Sequence, residues 1–357
     1  MNLKRNPVLE EIEMLRNQIN EKDSIINDIT EKLTRYQDEF TYLQPVIHWA
    51  HKAWLVTPKH GRLTHYPALV IEYPVEYRLP ASFAAPMISI VTPSFNQAKY
   101  IAKTINSILD QDYPNLEYFV QDGGSHDGTE QILQRFEDRM TGWTSAPDNG
   151  QTQTINLGFR RTQGEIMAWL NSDDLLMPGT LALVADYVPK HPEIDVIYGH
   201  RILIDEEDRE IGRWILPGHR DKVLSWADFV PQETLFWRRR IWDSIGGDLD
   251  ESFRFAMDWD MLLRFRVVGA HMVRLPYFLD AFRIHDAQKT SAIIFEVGKH
   301  EITRLRRRVL GRNVTMREIR RALLTYSIIH LALDFSWRLG RFLKLRVQSH
   351  RKISQNV

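Results

Sequence analysis

The chain predicts an α/β fold, a mostly parallel sheet with helices on both faces, flanked by an N-terminal coiled coil and a basic helical tail. Three observations carry this. From Met87 onward short β-branched runs alternate with loops and helically spaced segments; before Leu43 apolar residues recur every three or four positions; from Lys299 to the end basic residues outnumber acidic ones fifteen to three. Strands that alternate with helices of these lengths build parallel sheets covered on both faces. In such sheets ligands bind beyond the carboxyl ends of the strands, so the loops after each strand are the places to look for chemistry.

Val8, Ile12, Leu15, Ile19, Ile26, Ile29, Leu33, Tyr36, Phe40 and Leu43 follow a heptad pattern, interrupted only by Lys22. With Ile12 at position a, the a sites read Ile, Ile, Ile, Leu, Phe, a series that favours two strands and hence a homodimer. A single amphipathic helix packed on its own domain is the competing expectation. Pro45 closes the pattern, and Pro58, Pro67, Pro74, Pro80 and Pro86 mark residues 45–86 as a Pro- and aromatic-rich connector. The first β/α units then follow: strand Ile88 to Thr92 with a helix from Tyr100 to Leu109, and strand Leu116 to Gln121 with a helix from Thr129 to Asp138. Further strands are expected at Ile166 to Leu170 and Val196 to Tyr198, and a helix from Trp259 to Val268. The domain boundaries are therefore placed at 1–44, 45–86, 87–295 and 296–357.

Two loops stand out chemically. Asp122-Gly-Gly-Ser-His-Asp127-Gly-Thr follows the second strand, where glycines let a ligand approach the backbone and an acid can accept hydrogen bonds from a base or ribose. A plain strand-to-helix turn explains the same residues. Asn171-Ser-Asp173-Asp174 follows the third strand, and adjacent carboxylates at a strand tip repel unless a cation or solvent relieves them. Magnesium or manganese suits such oxygen ligands and shares them with substrate phosphates. An Asx-rich turn capping the following helix is the bland alternative.

From about Met87 to about Thr290 the chain resembles a family 2 glycosyltransferase with the GT-A fold, because four motifs arrive in the family's order. The stretch through Thr92, Pro93, Ser94 and Asn96 resembles the opening strand and nucleotide loop, and that around Asp122 the second acidic loop. Asp148-Asn-Gly150-Gln151 leads to an Asn156-Leu-Gly158 element, and Asn171-Ser-Asp173 sits where the family has its Asp-x-Asp metal motif. Asn171 departs from that motif, so the resemblance makes Asp173 the main metal ligand, with Asp174 in support and His285 of the Arg283-Ile-His285 element completing the shell. It further implies nucleotide-sugar binding by Thr92, Pro93, Ser94, Asn96, Asp122, Gly150, Gln151, Asn171 and Asp173. Gln232, Glu233 and Trp259 are expected near donor sugar or acceptor. Phe255-Ala-Met257-Asp258-Trp-Asp260 resembles the family's Glu-Asp-x-Asp segment and implies Asp258 as general base, since a sugar hydroxyl attacks well only as its proton is removed. The implied reaction is inverting transfer from a nucleotide diphosphate donor to an acceptor hydroxyl, with Mn2+ or Mg2+, in surface polysaccharide or glycolipid synthesis. Asn171 and Met257 keep one rival in view, a non-catalytic scaffold that binds nucleotide-sugar.

The composition fits a folded domain, with 43% hydrophobic and 26% charged residues and no net charge. The absence of cysteine excludes disulfides, thiolate zinc sites and cysteine nucleophiles. No apolar run follows the basic N-terminal residues, so a cytoplasmic location is expected. The first strand lacks the Gly-x-Gly-x-x-Gly turn of dinucleotide-dependent oxidoreductases. In the tail, apolar residues from Leu323 to Leu343 at helical spacing, flanked by arginines, suit peripheral attachment to an anionic membrane, and packing on protein suits them too. No nucleic-acid-reading module accompanies the basic charge.

Overall fold

The computed structural model describes residues 63–72, 77, 79, 83–285 and 297–354, with side chains as far as Arg341. The heptad segment and most of the connector lie outside the described residues. Strands β1 (Ile88–Ser94), β2 (Leu116–Asp122), β3 (Gly142–Ser145) and β4 (Ile166–Trp169) alternate with helices α1 (Ile101–Leu109), α2 (Thr129–Arg135) and α3 (Gln151–Phe159). A single 3-10 turn, Glu137–Arg139, finishes the segment expected to be one helix. There follow β5 (Leu175–Leu176), α4 (Thr180–Lys190), β6 (Val196–Ile204), β7 (Glu210–Trp214), α5 (Asp221–Leu224), β8 (Phe236–Arg238) and α6 (Arg239–Ser244). Then come α7 (Met257–Val267), β9 (Met272–Arg283), α8 (Lys299–Leu310) and α9 (Met316–Ser354).

The sheet runs β3-β2-β1-β4-β8-β6-β9-β5, with β7 beside β6. Its first four strands are all parallel, and β1 lies between β2 and β4. The chain therefore reverses direction of winding at β1, opening a crevice at the carboxyl ends of β1, β2 and β4. The second half is mixed: β8 is antiparallel to β4 and β6, whereas β6 and β9 run parallel.

Period-two alternation splits the strands between two cores. Ile88, Ile90, Ile166, Ala168 and Ile197 pack with α1 and α4; Val91, Met167, Trp169, Val196 and Tyr198 pack with α3 and α7. Helix α3 approaches β1 so closely that a Cβ on Gly158 would lie 2.4 Å from Val91 Cγ1. Asn156, two residues earlier, clamps the loop before α7 by accepting from the Leu249 N–H (2.8 Å) and donating to its carbonyl (3.0 Å). The Asn156-Leu-Gly158 element is thus a packing device.

The basic tail is docked on the α/β domain. Leu305 of α8 is fully buried, and Arg308 pairs with the buried Asp260 of α7. Glu301 accepts the N–H groups of Arg254, Phe255 and Ala256 at 2.8–2.9 Å, fixing the chain just before α7. On α9, Arg338 bonds Asp334 (2.8 Å) and His65 (2.7 Å), and Arg341 pairs with Glu210 of β7 (2.6 Å). Among the described residues no helix is long and apolar enough to cross a membrane.

Candidate active site

The loops after β1 and β2 are tied to each other. Asn96, at φ 53°, donates its N–H to Ser125 Oγ (2.7 Å) and accepts the His126 N–H (3.0 Å). Asn tolerates this left-handed conformation better than most side chains. Asp127 accepts the Ala98 N–H (2.9 Å), and Thr129 Oγ1 accepts that of Gln97 (3.0 Å). Asp122 is fully buried: it accepts the N–H groups of Gly124 and Ser125 and the hydroxyls of Ser125 (2.6 Å) and Ser145 (2.7 Å). It shapes the loop and does not stand in the open crevice. Thr92 lies in the α1/α4 core, its hydroxyl 3.0 Å from that of Tyr118, and Pro93 beside it is also buried. Ser94, at the strand tip, keeps a buried hydroxyl with no hydrogen-bond partner among the described residues. Gly150 is exposed at φ 111°, a conformation suited to glycine, just before α3.

The loop after β4 gathers the next group. Thr104 of α1 donates to the carbonyls of Ser172 (2.9 Å) and Asp174 (2.8 Å), holding the loop from behind. Asn171 accepts from Gln151 Nε2 (2.8 Å) and donates to Gln232 Oε1 (3.2 Å), so three expected ligand-binding side chains meet. Gln232 also donates to the Trp169 carbonyl (2.8 Å). Asp173, partly exposed, places Oδ2 3.0 Å from His285 Nε2. Asp174 turns inward: it is fully buried, accepts the Arg283 N–H (3.0 Å), and is reached by Asn171 Nδ2 (3.3 Å). Burial, then the charges of Asp173 and Glu233, push its carboxyl well above the usual range. Asp174 therefore anchors the loop to β9, and of the three residues expected at the metal only Asp173 and His285 lie within hydrogen-bond distance of each other. Arg283 is itself buried, bonding the Asp173 carbonyl (2.7 Å) and pairing with Asp208 (2.5 Å).

Across the crevice lies an acidic wall. Asp258, in the first turn of α7, is part-exposed, and its Oδ1 accepts the Trp259 N–H (2.8 Å). Asp228 is open to solvent yet hemmed in by protein; desolvation, then the Asp258 charge, raises its carboxyl well above the usual range. Glu233 is buried and pairs with Arg201, Nε to Oε1 2.6 Å. Burial raises the Glu233 carboxyl, Arg201 pulls it down, and Asp258 adds to the rise. The electrostatic reach from Asp173 through Asp174 and Glu233 to Asp258 and Asp228 links the two sides of one site. Trp259 does not belong to that wall. It is 1% exposed, and its indole N–H donates to the Leu224 carbonyl (2.8 Å), so no ring face is left for a sugar.

The sequence reading missed Asp228, Arg201, Asp280 and Glu301. Arg201 and Asp280 carried a signal: each interrupts an apolar strand, where a charge needs a partner. Asp228 and Glu301 carried none, because their roles depend on which distant segment folds against them.

The α/β unit with its strand-tip crevice, facing a wall of carboxylates, is that of a GT-A glycosyltransferase. Residues 89–252 match Glycosyl transferase family 2. An uncharacterised glycosyltransferase of Rickettsia typhi is 28% identical over 226 residues, 61% of this chain and 70% of that protein. The putative teichuronic acid biosynthesis glycosyltransferase TuaG of Bacillus subtilis is 38% identical over 92 residues, 25% of this chain and 36% of that protein. The fold matches S. aureus TarS, solved in complex with UDP-GlcNAc, at a TM-score of 0.53 and 17% identity, covering 72% of this chain and 81% of that one.

Proposed function

We propose that the chain transfers a sugar, with inversion, from a nucleoside diphosphate donor to an acceptor hydroxyl of a surface polysaccharide or glycolipid. The observation that carries this is the part-exposed Asp258 carboxylate, whose charge is felt by Glu233, which in turn acts on Asp174 beside the Asp173 and His285 pair. In a single displacement the acceptor oxygen bonds to the anomeric carbon as the bond to the diphosphate oxygen breaks, and the acceptor proton passes to Asp258. The Trp259 N–H orients that carboxylate, and Glu301 fixes the backbone that leads into it. Gln151, Asn171 and Gln232 form the hydrogen-bonded floor on which the donor's diphosphate and sugar rest, and the buried Ser94 hydroxyl is a free donor at its edge.

A divalent cation fits this site in one way. Among the described residues no three His, Asp or Glu side chains cluster to hold an ion by themselves. Asp173 and His285 supply one oxygen and one nitrogen, which suits Mn2+ or Mg2+ sharing its remaining positions with substrate phosphates and water. Bound there, the ion supplies positive charge to the departing diphosphate. The heptad segment adds a homodimer to this proposal.

The test measures nucleoside diphosphate released from UDP-, GDP- and dTDP-sugars with Mn2+, Mg2+ or EDTA. Asp258→Asn is expected to lower turnover roughly 10²- to 10⁴-fold while donor affinity holds. Asp173→Ala is expected to abolish the metal-dependent part. A donor that binds and is never cleaved, with candidate acceptors present, would establish the scaffold reading instead.

A further inference from the structure

Helix α9 is built inside out. Its buried positions facing the domain are Ile319, Tyr326, His330, Asp334 and Arg338, mostly polar and held by the ionic and hydrogen bonds to His65 and Glu210 described above. Its solvent side carries Leu324 (57% exposed), Ile328 (57%), Leu331 (36%), Phe335 (43%) and Leu339 (38%). These recur at spacings of four and three, so they form one stripe. Thr325, Ala332, Ser336 and Gly340 are the other exposed residues between Leu324 and Gly340, so the outward face is uncharged over about 24 Å of helix. Contiguous exposed apolar surface of this kind marks a contact face.

We infer that this stripe docks α9 flat on an anionic lipid surface. Exposed Arg317, Arg320 and Arg321 stand at one end of it, and Lys344, Arg346, Arg351 and Lys352 follow along the same helix. Two copies joined through the stripe would bring these cations together in either orientation, whereas acidic headgroups neutralise them as the apolar residues enter the interface. The helix lies on the surface and does not span it, since none described is long and apolar enough to cross. The opposite side of α9 reaches the active site: the Tyr326 ring packs 4.8 Å from Phe229, next to Asp228 on the acidic wall. Docking thus sets Phe229 and the neighbouring Asp228 about one helix diameter, ~10 Å, above the lipid, on the side where a lipid-linked acceptor hydroxyl would arrive.

The inference goes beyond the transfer reaction, and its test uses no sugar nucleotide, so either can fail alone. Full-length protein is sedimented with vesicles of phosphatidylcholine alone or mixed with phosphatidylglycerol. Wild type is expected to partition onto the mixed vesicles only. Ile328→Glu with Phe335→Glu, and separately Arg320→Glu with Arg321→Glu, are expected to weaken partition at least tenfold, on the order expected from losing apolar insertion or two surface cations. Circular dichroism shows that the variants fold, and both sites are exposed. Equal partition by the variants, or none by wild type, overturns the inference. So does a wild-type dimer in solution that Ile328→Glu with Phe335→Glu dissociates without any effect of lipid, which would make the stripe a self-interface.

Discussion

The two halves of the site satisfy their polar groups by opposite means. In the first half, β1 to β4, the partners are close: Asp122 is saturated by its own loop and Ser145, and Asn96 and Asp127 stitch two adjacent loops. In the second half, β6 to β9, charges are buried inside the sheet and matched from a distance. Arg201 of β6 reaches Glu233 in the turn before β8 and lies in register with Asp280 of β9. Local hydrogen bonds hold a loop at little electrostatic risk. Buried charges demand that every partner be in place, because an uncompensated one is costly in a weakly polar interior.

Removing one partner should expose this difference most sharply. Arg201 is sandwiched between the Trp214 and Phe282 rings, each 4.7 Å away, and is the cation paired with Glu233. Arg201→Ala strands that carboxylate and is expected to cost about 3–5 kcal/mol in urea unfolding. Arg201→Met with Glu233→Gln should recover much of the loss. If the single variant were as stable as wild type, the second half would not depend on buried ion pairs.

The first half has a steric weak point instead. A Cβ on Gly158 would lie 2.4 and 3.1 Å from the two methyls of Val91. Gly158→Ala therefore forces α3 off β1 and is expected to cost about 1–3 kcal/mol. Val91→Ala in the same chain makes room and should relieve most of that strain. An unchanged melting temperature in the single variant would mean that the helix shifts freely and that the crevice beside it is soft.

What the sequence revealed divides along the same line. Strands β1, β2 and β4 could be read because each is a short apolar run followed at once by its own turn residues and helix. The loops after them could be read because their polar residues sit on neighbouring positions, as in Asn171 to Asp174. The mixed half could not: β5 and β8 are two and three residues long, too short for any periodicity, and exist only because longer strands pair with them. Burial was the harder quantity. Thr92, Asp122, Asp174 and Trp259 occupy the right segments, but which way each side chain turns is set by the register of β1 on β2 and by α7 packing on Leu224. The tail's charge was plain from composition, while its inverted polarity needed the partners His65 and Glu210, more than a hundred residues away.

Asp280 offers the finest test of the contrast. It is fully buried, and neither carboxyl oxygen has a hydrogen-bond partner among the described residues. Burial first, then the charges of Asp174 and Glu233, hold its carboxyl well above the usual range, against the pull of Arg201. A folded-state pKa above the unfolded one stabilises fully below the unfolded value, and that contribution is lost as pH rises through the folded value. Asparagine has nearly the same shape and cannot ionise. Asp280→Asn should therefore melt close to wild type below about pH 4, where an unfolded aspartate is still protonated, and gain on it as pH rises above that. Asp122→Asn, made where donors surround the carboxylate, should instead lose stability, since an amide nitrogen would face N–H and O–H donors. Should both variants respond alike across pH, buried charge would not be what separates the two halves.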